Sequence, residues 1–416
     1  MVRTAGGIEQ VEATPEDAGL SSPGLERLSR HVQGYIDDGR LPGAITLVAR
    51  RGKVVHFETY GQRDVEAGQP VERDTIFRIF SMTKPIVSVA LMTLYEEGRF
   101  QIDDPVSAYI PQLKDLPVLS GKTDENPPLR PASREMTIAD LLRHTSGLAS
   151  RTDSMLGPAY EKLGLLSSSS EGTLRDAIDK LATLPLKCDP GTQFNYGVST
   201  DVAGYLCEVL SGQQLDEFLR ARIFERLGMD DTGFYVKQPQ MGRFAANYRP
   251  GVEGEPGIIL TDRPDASSRY ASPRSYLSGA GGLVSTASDY ARFCKMLSAG
   301  GEYEGERVIG PRTLRFMTQN HLPEGRDLAH MGSENAGETR REGVGFGLGF
   351  AVLLSASVAG GVGSPGEYYW GGAASTAFWV SPADELFVVF MTQLQPSSTY
   401  PIRRELRSIV YGSIID

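Results

Sequence analysis

Cysteine and histidine are scarce in this 416-residue chain, with three of the first and five of the second. Cys188, Cys207 and Cys294 stand far apart, odd in number and outside any C-x-x-C arrangement, so no disulfide framework is expected. The histidines form no H-E-x-x-H and no close pair, so no zinc site is expected, and nothing in the sequence calls for another cofactor. Apolar runs stop well short of the roughly 20 residues a membrane span needs. The segment Met1–Leu20 has no apolar core of the kind a secretory signal carries. Together with the isolated thiols, that makes a cytoplasmic protein the expectation.

Positive charge is also in short supply. Lys and Arg number 42 against 52 Asp and Glu, a net charge of −10. Nucleic acids and anionic lipid surfaces are both held by clustered cations, so neither is an expected partner. G-x-S-x-G is missing, which argues against the nucleophile elbow of α/β-hydrolases. Gly361-Val362-Gly363-Ser364-Pro365-Gly366 fits G-x-G-x-x-G, but Pro365 and the strand-like Tyr368–Trp370 after it deny the loop a helix. A surface turn is the better reading.

What is present is an ordinary globular composition, 40% apolar and 23% charged, in a chain long enough for two lobes. Ser81-Met82-Thr83-Lys84 places a hydroxyl and an ammonium one helical turn apart, on one face. It is the only S-x-x-K in the chain. A serine hydroxyl needs a neighbouring base to become a nucleophile, and Lys84 is placed to serve, directly or through a third group. Ile86, Val87, Val89, Ala90, Leu91, Met92 and Leu94 then follow, apolar on every side. This spacing predicts a buried helix over 81–97, with Pro85 in its tolerant first turn and Gly98 as its stop.

Around it, periodicity predicts a helix over 23–38 and a hairpin of Ala44–Arg50 with Lys53–Tyr60. The middle reads as loop-rich and helical, with helices over 137–143, 174–182, 199–211 and 214–227, and polar loops over 115–135 and 166–172. A further helix runs to Leu297, and a polar loop spans 321–343. Strands return over Phe346–Leu354, Tyr368–Gly371, Ser375–Val380 and Leu386–Thr392, before a last helix over 401–411. Short connections favour antiparallel pairing. The expected fold is α/β (α+β): an antiparallel sheet sandwiched by helices, formed by residues 1–85 and 275–416, with a mostly helical lobe over 86–274. Ser81 would lie in the crevice between them, a usual place for a ligand pocket.

Phe77-Arg78-Ile79-Phe80-Ser81-Met82-Thr83-Lys84-Pro85 resembles the nucleophile segment of the serine β-lactamase and penicillin-binding-protein superfamily. It is most similar to class C β-lactamases and the family VIII carboxylesterases. Three further stretches match in the family's order: Met136 to Leu148, Pro190 to Tyr196, and Gly279 to Thr286. The resemblance runs from about residue 20 to the C-terminus. It implies that Ser81 is the acylated nucleophile, Lys84 its activating partner and Tyr196 the proton shuttle to the leaving group. It also implies an oxyanion hole made by the backbone N–H groups of Ser81 and Ala373. Whether Lys84 or Tyr196 takes the serine proton stays open.

Two departures narrow the chemistry. The family's Y-x-N is Tyr196-Gly197-Val198 here, without the amide that binds a lactam, and its K-T-G is Trp370-Gly371-Gly372, without the cation. Trp370, Gly371, Gly372 and Val198 are expected to line the substrate pocket. Losing an amide donor and a cation weakens binding of an anionic lactam more than that of a neutral ester. The expected activity is therefore carboxylesterase action on short-chain esters, with a small-molecule ester as partner. A β-lactamase, a D-alanyl-peptide hydrolase or an acyltransferase is the alternative, and a non-catalytic binding protein on the same scaffold is the rival from another class. His144 falls in a stretch that the resemblance makes structural.

Overall fold

The computed structural model describes residue 8 and residues 10–121, 128–150, 152–165, 171–252, 255–332 and 341–416. Helix α1 (Ser22–Asp37) buries Leu25, Leu28, Val32 and Tyr35, one apolar stripe at helical spacing. Ser21 caps it by accepting the Gly24 N–H. Strands β1 (Gly43–Arg50) and β2 (Lys53–Asp64) form a hairpin. Its turn, Arg51-Gly52, has φ of 52° and 75°, the left-handed pair a tight hairpin requires. Strand β3 (Gln69–Pro70) extends the edge of β2.

The chain returns to this sheet with β4 (Val344–Phe346), β5 (Ala351–Leu353), β6 (Tyr368–Gly371), β7 (Ala377–Ser381) and β8 (Leu386–Thr392). The order across the eight strands is β4-β5-β6-β7-β8-β1-β2-β3, every neighbouring pair antiparallel. β8 pairs with β1, so the two ends of the chain close one sheet. Every residue of β1 and β8 is buried, which means both faces of the sheet centre are covered. Helices α2 (Thr83–Glu96), α3 (Ser199–Ser211), α4 (Ala287–Ser298) and α5 (Ile402–Tyr411) complete the layers that matter for the site. α4 lies on β7, β8 and β1, while α1 packs on β2 and against α5. α2, buried from Thr83 to Leu94, packs against α3. The architecture is the expected α+β sandwich.

Several boundaries differ from the sequence reading. α2 begins at Thr83, and Ser81 sits in a 3-10 turn, Phe80–Met82, that leads into it. The strand expected over Phe346–Leu354 is two strands, because the chain folds back at Gly347–Phe350. Gly349 has φ 100°, and a Cβ there would meet the Ser88 hydroxyl of α2 at 2.4 Å, so the corner packs against the buried helix. The strand expected from Ser375 starts at Ala377, since Ser375 closes the preceding turn at φ 68°. A hairpin of Asn247–Val252 with Glu255–Asp262 was not anticipated. The expected loop over 115–135 contains a short pairing of Val118–Leu119 with Leu129–Arg130. Parts of the expected loops, at 122–127, 166–170 and 333–340, lie outside the described residues.

The stretch Met136–Leu148 owes its shape to one buried carboxylate. Asp140 is fully buried, boxes the helix cap with Thr137 and receives Arg134 at 2.5 Å and Arg143 at 2.8 Å. Burial alone would raise this carboxyl; the hydrogen bonds from Arg134 and Thr137 and the Arg143 charge outweigh it and hold it at about 2. A lowered carboxyl stabilises the fold above its unfolded value, near 4, and loses that contribution as pH falls toward 2. Asp140→Asn is expected to lower unfolding free energy at pH 7 by about 2 kcal/mol. In urea denaturation the gap to the parent protein is expected to close between pH 4 and pH 2.

Candidate active site

The turn carrying Ser81 is held from both sides. Phe77–Arg78 pairs with Val284–Ser285, and the Ile79 N–H donates to Leu283 O at 3.1 Å. Phe80 takes φ 44°, a left-handed conformation that a bulky residue adopts only when its surroundings fix it. On the far side the Gly372 backbone presses against Ile79, where a Cβ would stand 2.4 Å from the carbonyl oxygen. Ser81 thus projects from a turn with little freedom, at the head of a buried helix.

Lys84 is buried, with 4% of its surface exposed, and its ammonium is engaged on three sides. It donates to Ser81 Oγ at 3.3 Å and to Ala280 O at 2.7 Å, and lies 4.4 Å from the centre of the Tyr196 ring. The Ala280 carbonyl is positioned by Asp201 of α3, which accepts the Ala280 N–H at 3.1 Å and the Ser278 hydroxyl at 2.7 Å. Burial pushes the Asp201 carboxyl up, while those hydrogen bonds and the Lys84 charge pull it back. Tyr196 Oη accepts the Trp370 indole N–H at 3.1 Å, and the two rings meet at 5.2 Å between centres.

The segment Met136–Leu148 supports Tyr196 from behind. His144 O accepts the Asn195 N–H at 2.8 Å, and Thr145 O accepts the Gly191 N–H at 2.7 Å. The His144 ring lies 4.9 Å from that of Tyr196 and is buried. Burial first, and then the Lys84 charge, push its basicity far below that of a free imidazole. It is a neutral packing partner, in keeping with a structural stretch.

Ser81, Lys84, Tyr196, Val198, Trp370, Gly371, Gly372 and Ala373 all line one cavity of about 1310 Å³. Among the described residues, neither the Ser81 nor the Ala373 N–H donates to a backbone or side-chain acceptor. The cavity thus holds a serine hydroxyl against a buried amine, with a phenol ring above the amine. Ser81 and Ala373, whose N–H groups are free of protein acceptors among the described residues, are both in its lining. That set suits attack on a carbonyl and stabilisation of the resulting oxyanion. A profile of the Beta-lactamase family matches residues 28–411. The chain belongs to that family.

Other members bear out the breadth of the match. Protein Rv1367c of Mycobacterium tuberculosis is 34% identical over 372 residues, covering 88% of this chain and 89% of its own. Esterase EstB of Burkholderia gladioli is 31% identical over 423 residues, covering 98% and 100%. Among solved structures, EstCE1, "a hydrolase with promiscuous acyltransferase activity", superposes with a TM-score of 0.78 at 28% identity, covering 94% of this chain and 98% of its own. The chain is a serine hydrolase of the β-lactamase family.

Against the family pattern, the two substituted motifs take definite places. Val198 is buried at the start of α3, and Trp370 spends its indole N–H on Tyr196. Positive charge is nonetheless present beside the strand. Arg403 of α5 sets its guanidinium against Gly371, where a Cβ would fall 2.6 Å from it. The sequence reading missed Arg403 and Asp201. Asp201 lies five residues beyond Tyr196 on an expected helix, so a polar residue there was visible but not its contact. Arg403 sits 31 residues from the carbonyl of Gly372 that it binds, and no spacing announces it.

Proposed function

We propose that this β-lactamase family member is a carboxylesterase that acts through an acyl-enzyme on Ser81. The observation that carries the reading is the buried Lys84 amine 3.3 Å from Ser81 Oγ, beneath the Tyr196 ring. Ser81 Oγ attacks the ester carbonyl and gives up its proton to the Lys84–Tyr196 pair, which enters the reaction one proton short, with either the Lys84 amine or the Tyr196 phenolate as the acceptor. The oxyanion settles on the Ser81 and Ala373 N–H groups. The carbon–oxygen bond to the alcohol breaks as Tyr196 returns the proton to the leaving oxygen. Water, deprotonated by the same pair, then attacks the acyl-enzyme, and Ser81 regains its proton as the acid departs. No residue in this scheme requires a metal.

Esters rather than lactams follow from Val198 and Trp370, which offer neither the amide nor the cation of the family's lactam-binding motifs. Two of Arg403's donors are spent on backbone carbonyls. Support comes also from EstB, whose name records an esterase. Short-chain esters fit the 1310 Å³ cavity with room beyond them, so volume does not limit the acid or alcohol to small groups. Acyl transfer is the second reading, favoured by EstCE1's described activity and by space for an acceptor alcohol beside the acyl-enzyme. The free, buried Cys188, Cys207 and Cys294 suit work in a reducing cytoplasm. Among the described residues no helix is long and apolar enough to cross a membrane.

The test is a comparison on one preparation. A p-nitrophenyl ester is expected to give a burst of p-nitrophenol equal to the enzyme, followed by steady turnover. A cephalosporin is expected to be opened at least 100-fold more slowly, an effect of about 3 kcal/mol on the barrier. Faster cephalosporin than ester turnover would reverse the assignment.

A further inference from the structure

We infer that Arg403 is a positioning residue for this reaction, holding and polarising the peptide group that supplies the second oxyanion donor. The inference rests on the reading of Ala373 given above. The Gly372 carbonyl and the Ala373 N–H are opposite ends of one peptide group. Arg403 Nη2 donates to the Gly372 oxygen at 2.5 Å and to the Thr376 oxygen at 2.7 Å. A cation at the carbonyl end draws electron density from the peptide and makes the N–H at the other end a stronger donor, as linked hydrogen bonds polarise one another.

The same contact fixes the direction of that N–H. The turn between β6 and β7 is closed by Gly372 N–H to Thr376 O at 2.8 Å and by Ser375 N–H to Gly372 O at 3.1 Å. Ser375 sits in left-handed backbone at φ 68°, a conformation that persists where neighbours impose it. Arg403 bridges the two carbonyls that bracket this turn. Gly371 and Gly372 let the backbone lie this close: a Cβ on Gly371 would stand 2.6 Å from the guanidinium carbon, and one on Gly372 would stand 2.2 Å from Thr376 Oγ1. Trp370 stands where the family carries a lysine, so positive charge reaches this wall from the first turn of α5 instead of from the strand.

Arg403→Gln and Arg403→Lys, assayed with a p-nitrophenyl ester, test the idea. Loss of a whole oxyanion donor costs roughly 100- to 1000-fold in kcat, so weakening one is expected to cost about tenfold in the glutamine variant, with KM little changed. The lysine variant keeps the charge but carries it on a shorter stem, farther from the Gly372 and Thr376 carbonyls that Nη2 reaches, and is expected to fall between it and the parent. Infrared spectra of the trapped acyl-enzyme are expected to show the ester carbonyl stretch at higher frequency in both variants, as a weaker oxyanion hole polarises it less. If Arg403→Gln does not fold, Arg403→Lys carries the same test through kcat and the carbonyl stretch. An acylated Ser81 with unchanged kcat and carbonyl frequency overturns the inference alone. Reduced kcat with an unshifted carbonyl makes Arg403 merely structural and overturns it too. A parent enzyme with no acyl group on Ser81 overturns the site reading and this inference with it.

Discussion

Ser81→Ala is expected to lower kcat/KM toward an activated ester by about 10⁶-fold, the loss seen when an activated serine nucleophile is removed. The argument lies in how little else the hydroxyl does. Ser81 Oγ accepts one bond, from Lys84, and Lys84 keeps Ala280 O and the Tyr196 ring when it is gone. The turn itself is fixed by backbone contacts at Phe77–Ile79 and by Gly372, none of which uses the side chain. The variant is therefore expected to melt with the parent protein while losing both turnover and labelling by a fluorophosphonate. Activity retained above a tenth of the parent value would mean that ester cleavage occurs elsewhere in the molecule.

That this serine could be found in the sequence reflects a local signal. Ser81 and Lys84 are three residues apart, and the apolar run behind them marks a buried helix whatever its partners are. β1 and β8 were legible for the same reason, as short, mostly apolar runs of the kind that strands covered on both faces show, and β2 through the turn at Arg51-Gly52 that joins it to β1. The turn at Gly347–Phe350 was not, because aromatic and aliphatic residues continue straight through it. Only the approach of Ser88 shows why Gly349 must bend there. The hairpin ending at Asp262 was hidden by Pro250, Gly251, Pro256 and Gly257, residues that normally interrupt strands. Within the site, the eight residues read from the resemblance meet in one cavity, but the groups that aim them do not announce themselves. Asp201 is tied to Lys84 by its charge and through the backbone of Ala280, and Arg403 reaches Gly372 from α5, 31 residues on. Long-range contacts of this kind depend on how strands and helices register, which a single sequence does not display.

The pair proposed to handle protons gives the second large effect. Lys84→Met and Tyr196→Phe are each expected to lower kcat by roughly 10³- to 10⁴-fold, and the double variant by no more than the worse single one. The reason is geometric. Lys84 touches Ser81 directly, and its ammonium lies under the Tyr196 ring, so on the proposed mechanism the two groups are expected to share one proton path rather than to offer two. Methionine fills nearly the volume of the lysine stem without its charge, but it leaves Ala280 O without its donor and Asp201 without a nearby cation. This variant is therefore also expected to melt below the parent protein, and its kcat is read per folded enzyme. Tyr196→Phe keeps the ring contacts with His144 and Trp370 and removes only the hydroxyl that accepts the indole N–H. Single-turnover rates separate the roles further. If Lys84 takes the serine proton, its loss is expected to slow acylation whatever the leaving group. If Tyr196 protonates the alcohol, its loss is expected to hurt alkyl esters far more than p-nitrophenyl esters, whose leaving group needs little help. Losses that simply multiply in the double variant, to about 10⁷-fold, would mean that the two side chains act on separate steps and that the shared path is wrong.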